Sequence, residues 1–373
     1  MSAANVWHLG VKELRSLRRE PMTVAFIAYS FSFAIYVAGT SMPETLHKAP
    51  IALVDEDRSQ LSARIGDAFY PPNFMPPSRI TAAEMDARMD AGLDTFALAI
   101  PPGFQRDVLA GRAPAVQLNV DATRMSQAFT GSGYVTAIVT EEVNAFVDRR
   151  RAEAAPPIDL ALRVRFNPEM KHAWFGAVME VINHIAMLAL ALTGAALIRE
   201  REHGTIEHLL AMPVTPFEIM AAKIWSMALV VLAAAAASLL FVVQGALGMP
   251  IEGSRLLFLA GAALCLFAVT SLGIFLATIG RSMPQFGLLM ILVILPLQIL
   301  SGGMTPRESM PFAVQTLMLA SPTTHFVMLA QAILIRGAGF DVVWPQFAAL
   351  ALIGAVLFVL SLARFRKALA EMA

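Results

Sequence analysis

The chain has 373 residues, 57% of them hydrophobic and 15% charged, with a mean hydropathy of +0.63. Soluble domains carry about 25% charge and about 45–50% apolar residues, so this composition argues against a soluble enzyme. Twenty-eight basic residues balance twenty-eight acidic ones, which excludes a globally basic nucleic-acid binder. The single cysteine, Cys265, excludes an intramolecular disulfide and a multi-cysteine metal site, and its apolar surroundings read as packing.

Residues 1–21 form a basic segment with Lys12, Arg15, Arg18 and Arg19, followed by a charge-free run at 22–42. Crossing about 30 Å of hydrocarbon takes about 20 helical residues. The apolar part of a signal peptide is about 7–15 residues. The run at 22–42 therefore predicts an uncleaved first transmembrane helix behind a cytoplasmic N-terminal segment.

Residues 43–172 are a different material and hold 31 of the 56 charged residues. Strand-like stretches lie at 51–54, 95–100, 116–120 and 158–166. Helical patterns lie between them. One starts at the capping box Thr81-Ala-Ala-Glu84, and residues 124–153 predict one long helix. The expectation is a mixed α/β extracytoplasmic domain inserted between the first and second spans. Prolines mark its ends, Pro43 and Pro50 on entry and Pro156, Pro157 and Pro168 on exit.

Five further spans are predicted in 173–373, at 173–198, 224–249, 256–280, 284–303 and 342–363. Lipid offers no partner to backbone groups, so each must be a helix. The uncharged stretch 309–335 is divided by Pro311 and Pro322 and preceded by Gly302, Gly303 and Pro306. It predicts two short helices re-entering one leaflet within a segment 304–340. An even count of six spans puts both termini on one side, and a seventh would send the tail Arg364, Arg366 and Lys367 outside. Eleven basic residues fall in the cytoplasmic segments and three in the short outer loops, which favours six.

No catalytic constellation accompanies these spans. The five lysines, Lys12, Lys48, Lys171, Lys223 and Lys367, never follow a glycine, so there is no phosphate-binding P-loop. No HExxH pair and no Gly-x-Ser-x-Gly elbow occurs. His203 and His208 are five residues apart, on different helix faces. Enzyme readings are thus left without chemistry: the expectation is a chain that does not hydrolyse nucleotides by the P-loop route, holds no metal and binds no cofactor directly.

The cytoplasmic loop 199–223 is the richest local signal. Gly204 can end one helix and Thr205 can cap another, with Glu207 in its first turn, and Pro213 stops it. Thr215-Pro216-Phe217-Glu218 then supplies cap, first-position proline and third-position glutamate for the next helix. These residues by themselves also suit a plain capped helical hairpin, and that reading stays open.

The pattern Glu200-x-Glu202-x-Gly204-Thr205-x-Glu207-x-Leu209, then Pro213 and Glu218, resembles the cytoplasmic signature of the permease subunits of ABC type-2 transporters. A second match is Leu300-Ser301-Gly302-Gly303, Pro306, Met310-Pro311, Gln315, Pro322, Arg336 and Gly339. It is similar to that family's re-entrant outer-leaflet helices. The resemblance covers the whole order of anchor, outer domain and five spans.

It implies that Glu200, Glu202, Gly204, Thr205 and Glu207 lie at or support the contact with a separate cytoplasmic ATPase, which uses the ATP, and that Pro213 shapes the exit. It also implies a second permease copy or sister permease, a bacterial inner-membrane location with both termini cytoplasmic, and a periplasmic adaptor in the multidrug branch. The expected activity is export of a hydrophobic or amphiphilic compound.

Glu180, Asn183 and His184 share one face of the second span. An acid at mid-membrane costs roughly 2.5–3.5 kcal/mol, so that face lines either the export path or the dimer seam. The alternative, with Glu180 shallow enough to reach interfacial water near Lys171 and His172, stays open. Pro296 predicts a kink in the fifth span, with Gln298 near its outer end, serving as a hinge or merely accommodating the re-entrant segment. A membrane receptor or scaffold, or a mechanical transmitter acting through the α/β domain, remains the alternative to an exporter.

Overall fold

The computed structural model describes residues 2–41, 46, 48–121, 125–150, 172–204, 213–280, 282–305 and 307–370. They divide into two compact units, Pro43–Arg163 and the joined stretches Met1–Met42 and Val164–Ala373.

The chain opens with α1 (Ala3–Arg18), followed by α2 (Pro21–Phe31) and α3 (Phe33–Ser41). The basic head is thus itself a helix. Residues Pro21–Thr40 together are long and apolar enough to span, but they are broken at Ser32. The Ser32 hydroxyl donates to the Ala28 carbonyl while its N–H turns to Tyr29 O at 3.3 Å. A serine that back-bonds in this way bends its helix.

The α/β unit comprises β1 (Ile51–Asp55), α4 (Gln60–Asp67), β2 (Ser78–Arg79), α5 (Ala82–Asp90), β3 (Phe96–Ile100), α6 (Phe104–Leu109), β4 (Gln117–Val120) and α7 (Met125–Arg150). The sheet order is β2-β1-β3-β4, parallel except for the antiparallel β3–β4 pair. The central strands are near-continuous apolar runs, as strands covered on both faces require. Their core joins Ile51, Leu53, Leu61, Ile65, Phe96, Leu98 and Val135. At the start of α5, Glu84 accepts from Thr81 N at 2.8 Å, the capping box seen in the sequence. The short strand β2 has no alternating pattern and went unpredicted. The expected strand at 158–166 and the end of the helix 124–153 lie outside the described residues.

The rest of the helical unit is α8 (His172–Glu202), α9 (Pro216–Ser238) with a π-helical continuation Leu239–Ala246, α10 (Arg255–Ile279), α11 (Met283–Ile299), α12 (Phe312–Met318), α13 (Pro322–Leu334) and α14 (Phe340–Ala370). Among the described residues five helices are long and apolar enough to span, or six if the bent α12–α13 pair, with its 87° angle, is counted as one. The helix expected over 284–303 is α11, and only its end is corrected: it closes at Ile299 after 17 residues, about the shortest length that spans, and the chain has left the helix by Gly302, whose φ is +97°. The third span starts at Pro216 rather than 224, where Thr215 and Glu218 cap each other.

Helices α8 and α10 are central. The most apolar window of α8 is 78% buried within the chain and that of α14 only 17%. Close backbone approach holds the centre together, since apolar side chains have lipid as an equal alternative. A Cβ on Gly273 of α10 would stand 2.8 Å from the Leu190 carbonyl oxygen of α8, and one on Gly194 of α8 would enter the Phe286 ring. Gly273→Val is therefore expected to cost about 1–3 kcal/mol by forcing two backbones apart. Gly287→Ala, with nothing within 4 Å, is the control. Thermal unfolding of both purified variants checks this, and equal midpoints would contradict the packing.

Candidate functional site

The last turn of α8 carries Arg199, Glu200, Arg201 and Glu202 in succession. The C-terminal end of a helix is partly negative, so the arginines suit it and the glutamates do not. The glutamates are held by partners on other helices.

Glu200 enters a ring of alternating charge. Its Oε2 lies 2.7 Å from Lys223 Nζ of α9, and its Oε1 accepts from Lys12 Nζ of α1 at 2.8 Å. Lys223 also donates to Glu13 Oε1 at 3.0 Å, and Lys12 stands 3.5 Å from the same oxygen. Two ammonium groups and two carboxylates thus cancel. Lys223 is only 2% exposed, so it is tolerated there because both carboxylates reach it.

Burial alone would lower the Lys12 ammonium, but hydrogen bonding and attraction from Glu200, backed by Glu13, raise it above its ordinary value. Its contribution is therefore fully present below the ordinary lysine range and is lost as pH rises through the raised value.

The neighbouring residues reach further elements. Arg199 pairs with Glu20, the residue that caps the start of α2. Arg201 Nη1 makes a long 3.5 Å contact with the Gly280 carbonyl at the end of α10. Glu202 Oε1 accepts from Met283 N at 2.8 Å, satisfying an orphan donor at the start of α11. One turn of α8 therefore touches α1, α2, α9, α10 and α11.

Around it α1 is fixed along α9. The Trp7 and Trp225 rings stack at 5.2 Å, and Trp225 Nε1 donates to Val6 O at 3.1 Å. Gly10 leaves room for that indole, since a Cβ would lie 2.2 Å from it. Glu218 is also turned inward and accepts from Ser2 N at 2.6 Å and Thr215 N at 2.7 Å.

The loop itself leaves this turn at Gly204, whose φ of +67° favours glycine. Thr205 and Glu207 lie outside the described residues, as does Pro306. Pro213 is exposed where the chain returns. Glu200 and Glu202, expected at or behind an ATPase contact, are thus structural partners within the chain. Sequence reasoning missed Lys12 and Lys223 as the partners of Glu200, Glu13 as the second carboxylate of the ring, and the Met283 amide as the partner of Glu202. A lone lysine at the head of the apolar run 216–246 was the available signal, because such a charge needs a partner once buried.

The polar face of α8 divides. His184 is buried, with Nδ1 2.9 Å from Glu180 O and 3.4 Å from Glu180 Oε1, and its ring packs near Phe31 at 6.1 Å. Glu180 is a third exposed. The Asn183 carbonyl accepts from Gln298 Nε2 at 3.3 Å, joining α8 to α11 two residues beyond Pro296. In the following segment Gly303 lies against Met179, Pro311 precedes α12, Gln315 Nε2 donates to Met310 O at 2.8 Å, and Pro322 opens α13.

A bundle of five to six apolar spans around a charged, interlocked helix end is the architecture of a polytopic membrane permease. The chain belongs to the ABC-2 family transporter proteins, whose defining pattern matches residues 22–363. It is an ABC transporter permease subunit, and the family implies an ATPase partner. It is 62% identical over 369 residues, 99% of both chains, to the inner membrane transport permease YhhJ of Escherichia coli K12. Identity is 25% over 365 residues (97% of this chain, 98% of the other) to the probable multidrug ABC transporter permease YbhR. It is again 25%, over 345 residues and 90% of each chain, to the probable multidrug ABC transporter permease YbhS. Both are also from Escherichia coli K12.

The ring makes an asymmetric prediction. Lys223→Met leaves two buried carboxylates sharing one half-exposed lysine and is expected to cost about 3–5 kcal/mol. Lys12→Met, at a side chain 50% exposed, is expected to cost about 1 kcal/mol or less. Adding Glu13→Met to Lys223→Met restores charge balance and much of the stability. Thermal unfolding of the purified proteins checks the order.

Proposed function

We propose that this chain is the membrane half of an exporter in a bacterial inner membrane. A separate ATPase bound at the loop 199–223 drives a hydrophobic or amphiphilic substrate outward. The observation that carries this reading is the last turn of α8. Any force on the loop emerging at Gly204 reaches α1, α2, α9, α10 and α11 through Arg199, Glu200, Arg201 and Glu202. A contact of that kind converts closure of an ATPase into relative movement of spans, which alternating access requires.

The charge distribution supports a cytoplasmic position for both termini. Under the six-span topology the cytoplasmic segments hold eleven basic and seven acidic residues, and the outer domain fourteen and seventeen. In this topology the α/β unit lies outside and α12–α13 re-enter the outer leaflet. The largely uncovered faces of α14 and of Pro21–Thr40, whose windows are 17% and 28% buried, offer surface for lipid and for a second permease copy. The name of the 62% relative, an inner membrane transport permease, supports the location, and those of the two probable multidrug permeases support a drug-like substrate class.

Within this scheme Glu180, Asn183 and His184 on α8 and Gln298 beside Pro296 on α11 border the moving seam, and the outer domain is where a periplasmic adaptor would bind. Co-purification from cells that express the partner tests the reading. Gly204→Val and Glu207→Lys are expected to lower the retained ATPase about tenfold, as loss of an interface anchor does, with permease abundance unchanged. Glu180→Gln is expected to lower efflux of an amphiphilic dye. Full ATPase capture and wild-type efflux in all three variants would overturn it.

A further inference from the structure

At the other end of α8 from the charged ring lies a cavity of about 600 Å³, entirely within the helical unit. Phe175 of α8 lines it, as do the stretch Ser301–Met304, the single-turn helix Arg307–Ser309, α13 and the start of α14. From Phe175 to Arg199 is 24 residues, about 36 Å of helix. That is about the thickness of the hydrocarbon core plus an interface, so the cavity lies at headgroup level.

Its polar groups are unbalanced. Arg307 and Arg336 both line it, with Glu308 as the acid among the lining residues. Among the described residues neither guanidinium forms an ion pair. Arg307 Nη1 reaches the Met328 sulfur at 3.3 Å, and its Nε is buried with no hydrogen-bond partner. Gln346 Oε1, on α14, is likewise buried without a donor. A buried guanidinium N–H with no acceptor is costly, and so is a buried amide oxygen with no donor. Gly302 helps to build the site, since its φ of +97° turns the chain and a Cβ there would press on Arg307 Cγ at 3.0 Å.

The surroundings are apolar. Met304, Phe312, Phe340, Val342 and Trp344 are all more than half exposed. A tryptophan at this depth belongs to the interface belt, and the phenylalanines, Met304 and Val342 give an apolar rim that acyl chains can border.

We propose that this cavity binds the headgroup of a membrane phospholipid that carries its own hydrogen-bond donor, as ethanolamine and glycerol headgroups do and choline does not. The phosphate lies at Arg307 and Arg336, where two guanidiniums face one carboxylate. The headgroup ammonium or hydroxyl donates to Gln346 Oε1, and the acyl chains leave across the exposed rim. A free anion would satisfy the arginines but not the amide oxygen or the apolar rim. The inference is independent of the ATPase and of the direction of transport.

Native mass spectrometry of the full-length protein tests it, with phosphatidylethanolamine, phosphatidylglycerol or phosphatidylcholine added in detergent and inorganic phosphate as competitor. Retention of the first two is expected to exceed that of phosphatidylcholine about tenfold, the effect of one charge-assisted contact. Arg307→Gln is expected to lower retention of all three lipids and Arg307→Lys to restore part of it. Gln346→Leu, which keeps the arginines, is expected to abolish the preference over choline. Equal retention of the three lipids by the wild-type protein, no change in Arg307→Gln, or displacement of lipid by millimolar phosphate would overturn the proposal.

Discussion

The helical body depends on the placement of four buried or half-buried charges. Lys12, Glu13, Glu200 and Lys223 come from three helices and neutralise one another, with Lys223 and both carboxylates largely out of water and Lys12 half exposed at the edge. An isolated charge there would cost several kcal/mol, so each helix position is acceptable only if the others are in place. That mutual requirement specifies one arrangement of α1, α8 and α9 where apolar packing alone would allow sliding. Because Arg199, Arg201 and Glu202 flank the ring, the same turn also fixes the near ends of α2, α10 and α11.

Away from that end, charge gives way to close contact. Glycines at 194 and 273 let α8 and α10 approach backbone to backbone, and the Asn183–Gln298 bond ties α8 to α11. The helices themselves are irregular at several points: the Ser32 break, the π-helical stretch after Ser238, and Pro296 in a helix of only 17 residues. Such breaks loosen backbone hydrogen bonding where the chain can be re-satisfied by neighbours. The body is thus rigidly cross-braced at the loop end and more deformable along its length, a combination suited to a permease.

Much of this was legible because its causes are local. The capping pairs Thr81–Glu84 and Thr215–Glu218 were readable as helix starts, since cap chemistry acts over three residues. The apolar runs and the alternation of β1, β3 and β4 with helices were equally local. The limits of these elements were less readable. The run 284–303 contains no charge, yet the helix ends at Ile299, because the turn at Gly302 depends on what Arg307 and Met179 occupy around it. The motif residues Glu200 and Glu202 were visible as a pattern, and the resemblance implied that they lie at or support an ATPase contact. Their inward partners, Lys12, Lys223 and the Met283 amide, lie far away in the chain.

The sequence by itself determined the membrane character, the number of long apolar segments within one, the polar insert of 130 residues and the family. Composition, run length and short-range capping carry that information without reference to any fold. Only the tertiary structure decided which charges meet. Lys12 and Glu200 are 188 residues apart, and Glu13 and Lys223 are separated by 210. No local spacing records such a pairing, because a Coulombic contact is set by distance in space after the helices have packed. For the same reason the lining of the cavity at Arg307, Arg336 and Gln346 became visible only once α13 and α14 had been brought against the turn at Gly302.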